Sequence, residues 1–132
     1  MHNLKMGVQR LLTRRAKGQA IENACHDFLI KQKITIICCN FYSKMGEIDL
    51  IGTDKDTLIF FEVRYRNDKG YGNALESVTP TKQRRIYKTA QFFIMKHPQY
   101  QQFSYRFDII GASTYNGDTL FNWQKNAFQE PY

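Results

Sequence analysis

Two β-branched and apolar runs, residues 47–51 and 57–64, stand on either side of the polar segment Gly52-Thr53-Asp54-Lys55-Asp56. This pattern predicts an antiparallel hairpin. Its midpoint falls between Lys55 and Asp56, so a symmetric hairpin sets Asp49 directly across from Glu62. Cross-strand partners hold neighbouring side chains on one face of the sheet. By alternation, Glu47, Asp49 and Ile51 share that face with Phe60, Glu62 and Arg64, while Ile48, Leu50, Ile59, Phe61 and Val63 make the opposite face wholly apolar. A slip of one residue would part the two acids.

The rest of the pattern alternates helix with strand. Ala20, Ile21, Ala24, Cys25, Phe28 and Leu29 recur at helical spacing within residues 16–33, with Asn23, Asp27 and Lys31 on the solvent face. The β-branched residues 34–39 then read as a strand. Residues 66–74 contain Asn67, Asp68, Gly70 and Gly72 and are expected to form a mobile loop or a flap over a substrate. Thr79-Pro80 supplies an N-cap and a proline at the first helical position, and Ile86, Ala90, Phe93 and Ile94 form the buried stripe of a second helix that ends before Pro98. Residues 105–112 and 119–123 read as two further strands joined at Asn116-Gly117. The chain as a whole reads as an α/β fold: a single domain with a central mixed sheet flanked by helices.

A length of 132 residues and a hydrophobic content of 42% suffice for one core without disulfides. The domain is expected over residues 16–132, preceded by a basic and flexible segment 1–15. The 19 Lys and Arg outnumber the 12 Asp and Glu, for a net charge of +7, which favours a polyanionic partner such as nucleic acid or an anionic membrane. Cys25, Cys38 and Cys39 offer no disulfide framework, so a reducing cytoplasm is the expected location. The basic start lacks the continuous apolar stretch of a signal peptide, and no segment is long enough to span a bilayer. His2, His26 and His97 are scattered, which argues against zinc.

Two opposed carboxylates repel unless something positive sits between them. A divalent cation, Mg²⁺ or Mn²⁺, suits oxygen ligands with room for water and a phosphate, and would polarise a phosphodiester. The plainer reading is that Arg64, Arg66 or Lys82 neutralises the acids as a structural ion pair. Lys82 shares a helix face with Ile86, Thr89 and Phe93, so it should point toward the sheet, within reach of the acids or a bound phosphate. Arg84, Arg85 and Lys88 lie further round the helix, where they would contact a phosphate backbone or form a solvated face. Glu22, beside the apolar stripe of the first helix, is a candidate third acid or a helix-border residue.

Gly18-Gln19 with Glu22 and Ala24, Gly46-Glu47-Ile48-Asp49-Leu50-Ile51, Phe61-Glu62-Val63-Arg64-Tyr65-Arg66, Lys82, Arg106-Phe107-Asp108 and Asn126-Ala127-Phe128 together resemble the YraN family across nearly the whole chain after the first fifteen or so residues. That family is similar to the restriction-endonuclease and Holliday-junction-resolvase fold, whose site is an Asp followed by Glu-x-Lys, often with an acid on the first helix. The resemblance implies Asp49, Glu62 and Glu22 as metal ligands. Arg64 occupies the place of the lysine, and a permanently charged arginine can hold a phosphate but is a poor base. Asp108 is either a further acid of the site or, the favoured reading, a structural partner of Arg106, and residues 126–128 are expected to be a C-terminal packing segment. Two functions follow: a metal-dependent nuclease-like protein using Asp49 and Glu62 as ligands, Arg64 and Lys82 as phosphate stabilisers, Glu22 as auxiliary acid and Arg66, Arg84, Arg85 and Lys88 for nucleic-acid contact, or a non-catalytic binding or assembly module on the same fold. DNA and RNA are both open as substrates, and a resolvase-like activity would need a two-fold homodimer.

Overall fold

The computed structural model describes residues 13–66 and 78–130. Thr13 caps the first helix, α1 (Arg14–Lys31), its hydroxyl accepting from the Ala16 amide at 3.1 Å. Lys33, in the left-handed region at φ 69°, turns the chain into β1 (Thr35–Ser43). The hairpin follows as β2 (Gly46–Asp54) and β3 (Thr57–Arg66), with Lys55 at φ 53° in the turn between them. Helix α2 (Pro80–Lys96) has Pro80 in its first turn, and the Thr79 hydroxyl accepts from the Lys82 amide at 3.2 Å. After a short 3-10 turn (Pro98–Tyr100), β4 (Ser104–Tyr115) and β5 (Asp118–Phe128) pair through Asn116 and Gly117, whose φ of 50° and 84° suit a tight hairpin turn.

The five strands form one sheet in the order β1-β2-β3-β4-β5. Neighbours run antiparallel except β3 and β4, which are parallel because α2 carries the chain back across the sheet between them. Among the described residues, each face is covered by one helix. On the α1 side, Cys25 and Leu29 pack with Ile34, Leu50, Ile59, Phe61 and Ile110. On the α2 side, Ile86, Ala90 and Phe93 pack with Ile48, Ile51, Leu58, Phe60 and Phe107. The chain is thus a single α/β domain, and the near-continuous apolar runs of β2 and β3 follow from burial on both faces.

One expectation about the faces fails. Regular alternation puts Ile48 on the same side as Leu50, but it lies under α2 with Ile51 and Phe60, while Leu50 lies under α1. Strand β1 shows the same reversal, since Cys38 and Phe41, three residues apart, both pack on the α2 side. The cause is local. Asn40 takes a left-handed φ of 53°, between the paired rows Cys39–Leu50 and Phe41–Ile48, and one such residue breaks the two-residue alternation. Asp49 sits opposite Asn40 at that break.

Several boundaries also shift. β1 runs on to Ser43, β3 to Arg66 and β5 to Phe128, because pairing with neighbours extends each strand beyond its most apolar core. The loop expected after Arg66 lies outside the described residues. So does the basic segment as far as residue 12, whereas Arg14 and Arg15 already belong to α1. The three cysteines are free, and among the described residues no helix is long and apolar enough to cross a membrane.

Candidate functional site

Hairpin register brings the two predicted acids together. Leu50 pairs with Phe61 and Ile51 with Phe60, which makes Asp49 and Glu62 the next opposed positions. The backbone ladder stops there and the Asp49 side chain takes over, its Oδ2 accepting from the Val63 amide at 2.8 Å. Both acids are only 6% exposed. The break at Asn40 and Asp49 lets Asp49 reach across as well as along the sheet. Its carboxyl lies close enough to Glu62 of β3 and to Glu22 of α1 to perturb both, and the Asn40 side chain lies beside Glu22.

The result is a row of three carboxyl groups from three elements, with the cations at one end. Lys82 Nζ approaches Glu62 Oε1 at 3.3 Å and Arg64 Nη2 approaches the same oxygen at 3.9 Å. Lys82 thus points toward the sheet as its helix position predicts. The acids outweigh the cations nonetheless. Burial first, and then the neighbouring Asp49, push the Glu62 carboxyl up from 4.5 to about 8, against the downward pull of Lys82 and Arg64. Burial and Asp49 likewise raise Glu22 from 4.5 to about 7, partly offset by Asn40. Both shifts favour the protonated form of Glu22 and Glu62, because charged carboxylates this close together and this buried repel one another.

The protons that Glu22 and Glu62 retain bear on whether a cation suits the site. An all-oxygen donor set with surplus negative charge fits a hard dication, which would replace those protons. The fit is to a site of two carboxylates completed by water or phosphate rather than to an all-protein cage. Among the described residues, no group of three or more His, Cys, Asp or Glu side chains is arranged to hold a metal ion. Arg64 adds one further feature: its Nε is buried without a hydrogen-bond partner, a donor left over after Nη2 reaches Glu62.

The other predicted residues divide. Arg85 joins Lys82, Thr79, Thr81, Gly46 and Glu47 around a cleft of about 340 Å³ on the α2 side of the row. Arg84 and Lys88 are exposed on α2, and the Arg84 guanidinium binds the Thr81 hydroxyl at 3.2 Å. Arg66 pairs through its backbone with Ser113, and its side chain lies outside the described residues. Asp108 is no part of the row. It is fully buried, bound by Arg106 Nε at 3.0 Å, Trp123 Nε1 at 2.9 Å and the Asn126 amide at 2.8 Å, so the expected pairing with Arg106 is present. Of residues 126–128, Ala127 and Phe128 pack, Phe128 stacked on Phe107, while Asn126 is exposed. Sequence reasoning missed Asn40, although an asparagine between Cys39 and Phe41 in a strand-forming run is a signal for a left-handed residue.

The description "Uncharacterised protein family UPF0102" matches residues 21–112, a span that holds the whole row together with Arg64 and Lys82. A UPF0102 protein of Aliivibrio fischeri (strain MJ11) is 39% identical over 124 residues, covering 93% of this chain and 99% of its own. A UPF0102 protein of Coxiella burnetii (strain RSA 493 / Nine Mile phase I) is 41% identical over 121 residues, covering 92% and 98%. The family match runs from within α1 to within β4, and it agrees with the resemblance carried by the motifs around Asp49 and Glu62. The chain belongs to the uncharacterised protein family UPF0102.

Proposed function

We propose that this protein binds nucleic acid and hydrolyses phosphodiester bonds with the help of Mg²⁺ or Mn²⁺. The observation that supports this most is the meeting of Glu22, Asp49 and Glu62 from α1, β2 and β3, with Lys82 and Arg64 converging on one Glu62 oxygen. Asp49 and Glu62 are the residues that would hold the cation. Bound there, it would neutralise phosphate charge and lower the pKa of a bound water.

The chain's own groups account for the remaining roles. Lys82 is 40% exposed and Arg64 24%, so each is open on one side to a phosphate while the other side touches Glu62. Both donate to phosphate oxygens and stabilise negative charge as it develops. Glu22, held near pKa 7 and half-buried, is matched to accept a proton from water at neutral pH. The Val63 amide fixes the Asp49 carboxylate, so the row keeps its orientation when its protons leave. The net charge of +7 and the arginines along α2 favour a polyanionic substrate.

A second reading, a binding or assembly module without turnover, is favoured by Arg64 standing where a catalytic lysine would. Labelled duplex, branched and single-stranded DNA and RNA, incubated with Mn²⁺, Mg²⁺ or chelator beside Asp49→Asn, decide between them. Metal-dependent cutting that disappears in Asp49→Asn is the expected result. Intact substrates with salt-sensitive binding in both proteins would leave only the module.

A further inference from the structure

The α1 side of the sheet carries a second cleft, larger than the one beside Lys82. It measures about 520 Å³ and is lined by Arg14, Lys17, Gly18, Ala20, Ile21 and Tyr65. Tyr65, 52% exposed, forms one wall, and its hydroxyl rests on the Thr114 hydroxyl at 3.4 Å. Ala20 and Ile21 are apolar, Arg14 and Lys17 bring positive charge, and none of the described lining residues is acidic.

Gly18 is the odd residue in this cleft. A glycine inside a helix costs roughly 0.5–1 kcal/mol relative to alanine, and neither a turn nor a close backbone contact accounts for it here. A Cβ at this position would meet nothing within 4 Å, so the missing side chain leaves open space. Two lining residues also stand near acids of the row along their own elements. Gly18 lies one helical turn before Glu22, and Tyr65 three residues beyond Glu62 on β3.

We infer that this cleft holds an unpaired nucleobase, stacked on Tyr65 over Ala20 and Ile21, with the flanking phosphates at Arg14 and Lys17 and the adjoining phosphodiester at the carboxylate row. An aromatic wall with an apolar floor takes the face of a base, and cations at the rim take its backbone. In a continuous duplex both faces of each base are already stacked on neighbours, so the cleft selects single-stranded, flapped or frayed nucleic acid. The inference rests on the nucleic-acid reading of the site but not on hydrolysis.

The test is binding of a fluorescent oligothymidylate, a matching duplex and an abasic strand of equal length to the full chain, in chelator at fixed salt, followed by anisotropy. Oligothymidylate should bind more tightly than the duplex. Tyr65→Ala should weaken oligothymidylate binding by on the order of 10-fold, and Tyr65→Phe should keep it. Gly18→Leu should weaken it similarly without lowering thermal stability, because leucine favours the helix more than glycine and has room to project into the cleft. Neither Tyr65→Ala nor Gly18→Leu should alter binding of the abasic strand, which keeps only phosphate contacts.

Unchanged oligothymidylate binding in Tyr65→Ala, or an equal loss on the abasic strand, overturns the stacking site. So does a Gly18→Leu protein that sediments as a monomer where the parent is a dimer, which would make the cleft a contact between copies. If cleavage fails while the Tyr65 effect stands, only hydrolysis is lost. Absence of binding to every strand removes both readings.

Discussion

Two carboxylate centres are buried in the same sheet, and their surroundings are opposite. Asp108 on β4 is enclosed by donors alone: the Arg106 guanidinium, the Trp123 indole and the Asn126 amide. Asp49 and Glu62, on β2 and β3, are enclosed largely by another acid, and the cations that approach reach only Glu62. Burial by itself therefore does not mark a site. A carboxylate whose lone pairs are all matched by fixed donors is held in place, whereas buried carboxyl groups that crowd one another are driven to retain protons, the kind of perturbation that marks candidate sites.

The strongest check on this contrast is Asp108→Ala. It leaves Arg106 and the Trp123 indole without their acceptor inside the fold, and should cost about 3–5 kcal/mol in urea unfolding, with cleavage per folded molecule unchanged. A loss below 1 kcal/mol would mean that Asp108 is not the structural centre described here. Next comes the cation. At a Mn²⁺ concentration about a hundred times its Kd, the parent protein should gain about 2.7 kcal/mol, and Asp49→Asn should gain nothing. Equal gains in both proteins would place the ion elsewhere.

Proton linkage gives a smaller and more specific effect. The folded-state pKa of Glu62 is raised from 4.5 to about 8, so across that window the folded protein binds more protons than the unfolded chain. Its contribution to stability is complete below pH 4.5 and is lost as pH rises through about 8. Urea midpoints of the metal-free protein should fall across this window, and Glu62→Gln should flatten much of the decline. Cation affinity should rise over the same interval, because binding expels the retained protons. The smallest change belongs to Lys82→Met. Loss of this half-exposed cation should move the upper end of the decline to higher pH by a modest amount that added salt diminishes.

Much of the architecture was legible because the signals are local. Thr79-Pro80 marks a helix start whatever lies around it, Asn116-Gly117 marks a tight turn, and the symmetry of the hairpin about Lys55 and Asp56 sets Asp49 against Glu62. The side of the sheet taken by Ile48 was not legible, since it depends on the left-handed Asn40 of a different strand. For the site, the helix position of Lys82 gave its direction but not that it shares an oxygen with Arg64. The grip of Trp123 and the Asn126 amide on Asp108 joins residues far apart in sequence, and no local pattern encodes it.

The parallel pairing of β3 with β4 has a consequence for the order of folding. Glu62 lies beside Ile109, so this pair forms only after the chain closes a loop of roughly forty-five residues, a slow step beside the short turns of the β1–β2–β3 meander. The meander already contains Asn40, Asp49 and Glu62, while Lys82 lies on the later crossover. On the nascent chain the acidic residues are thus assembled before their lysine arrives, and docking of α2 is the event that gives Glu62 its second cation.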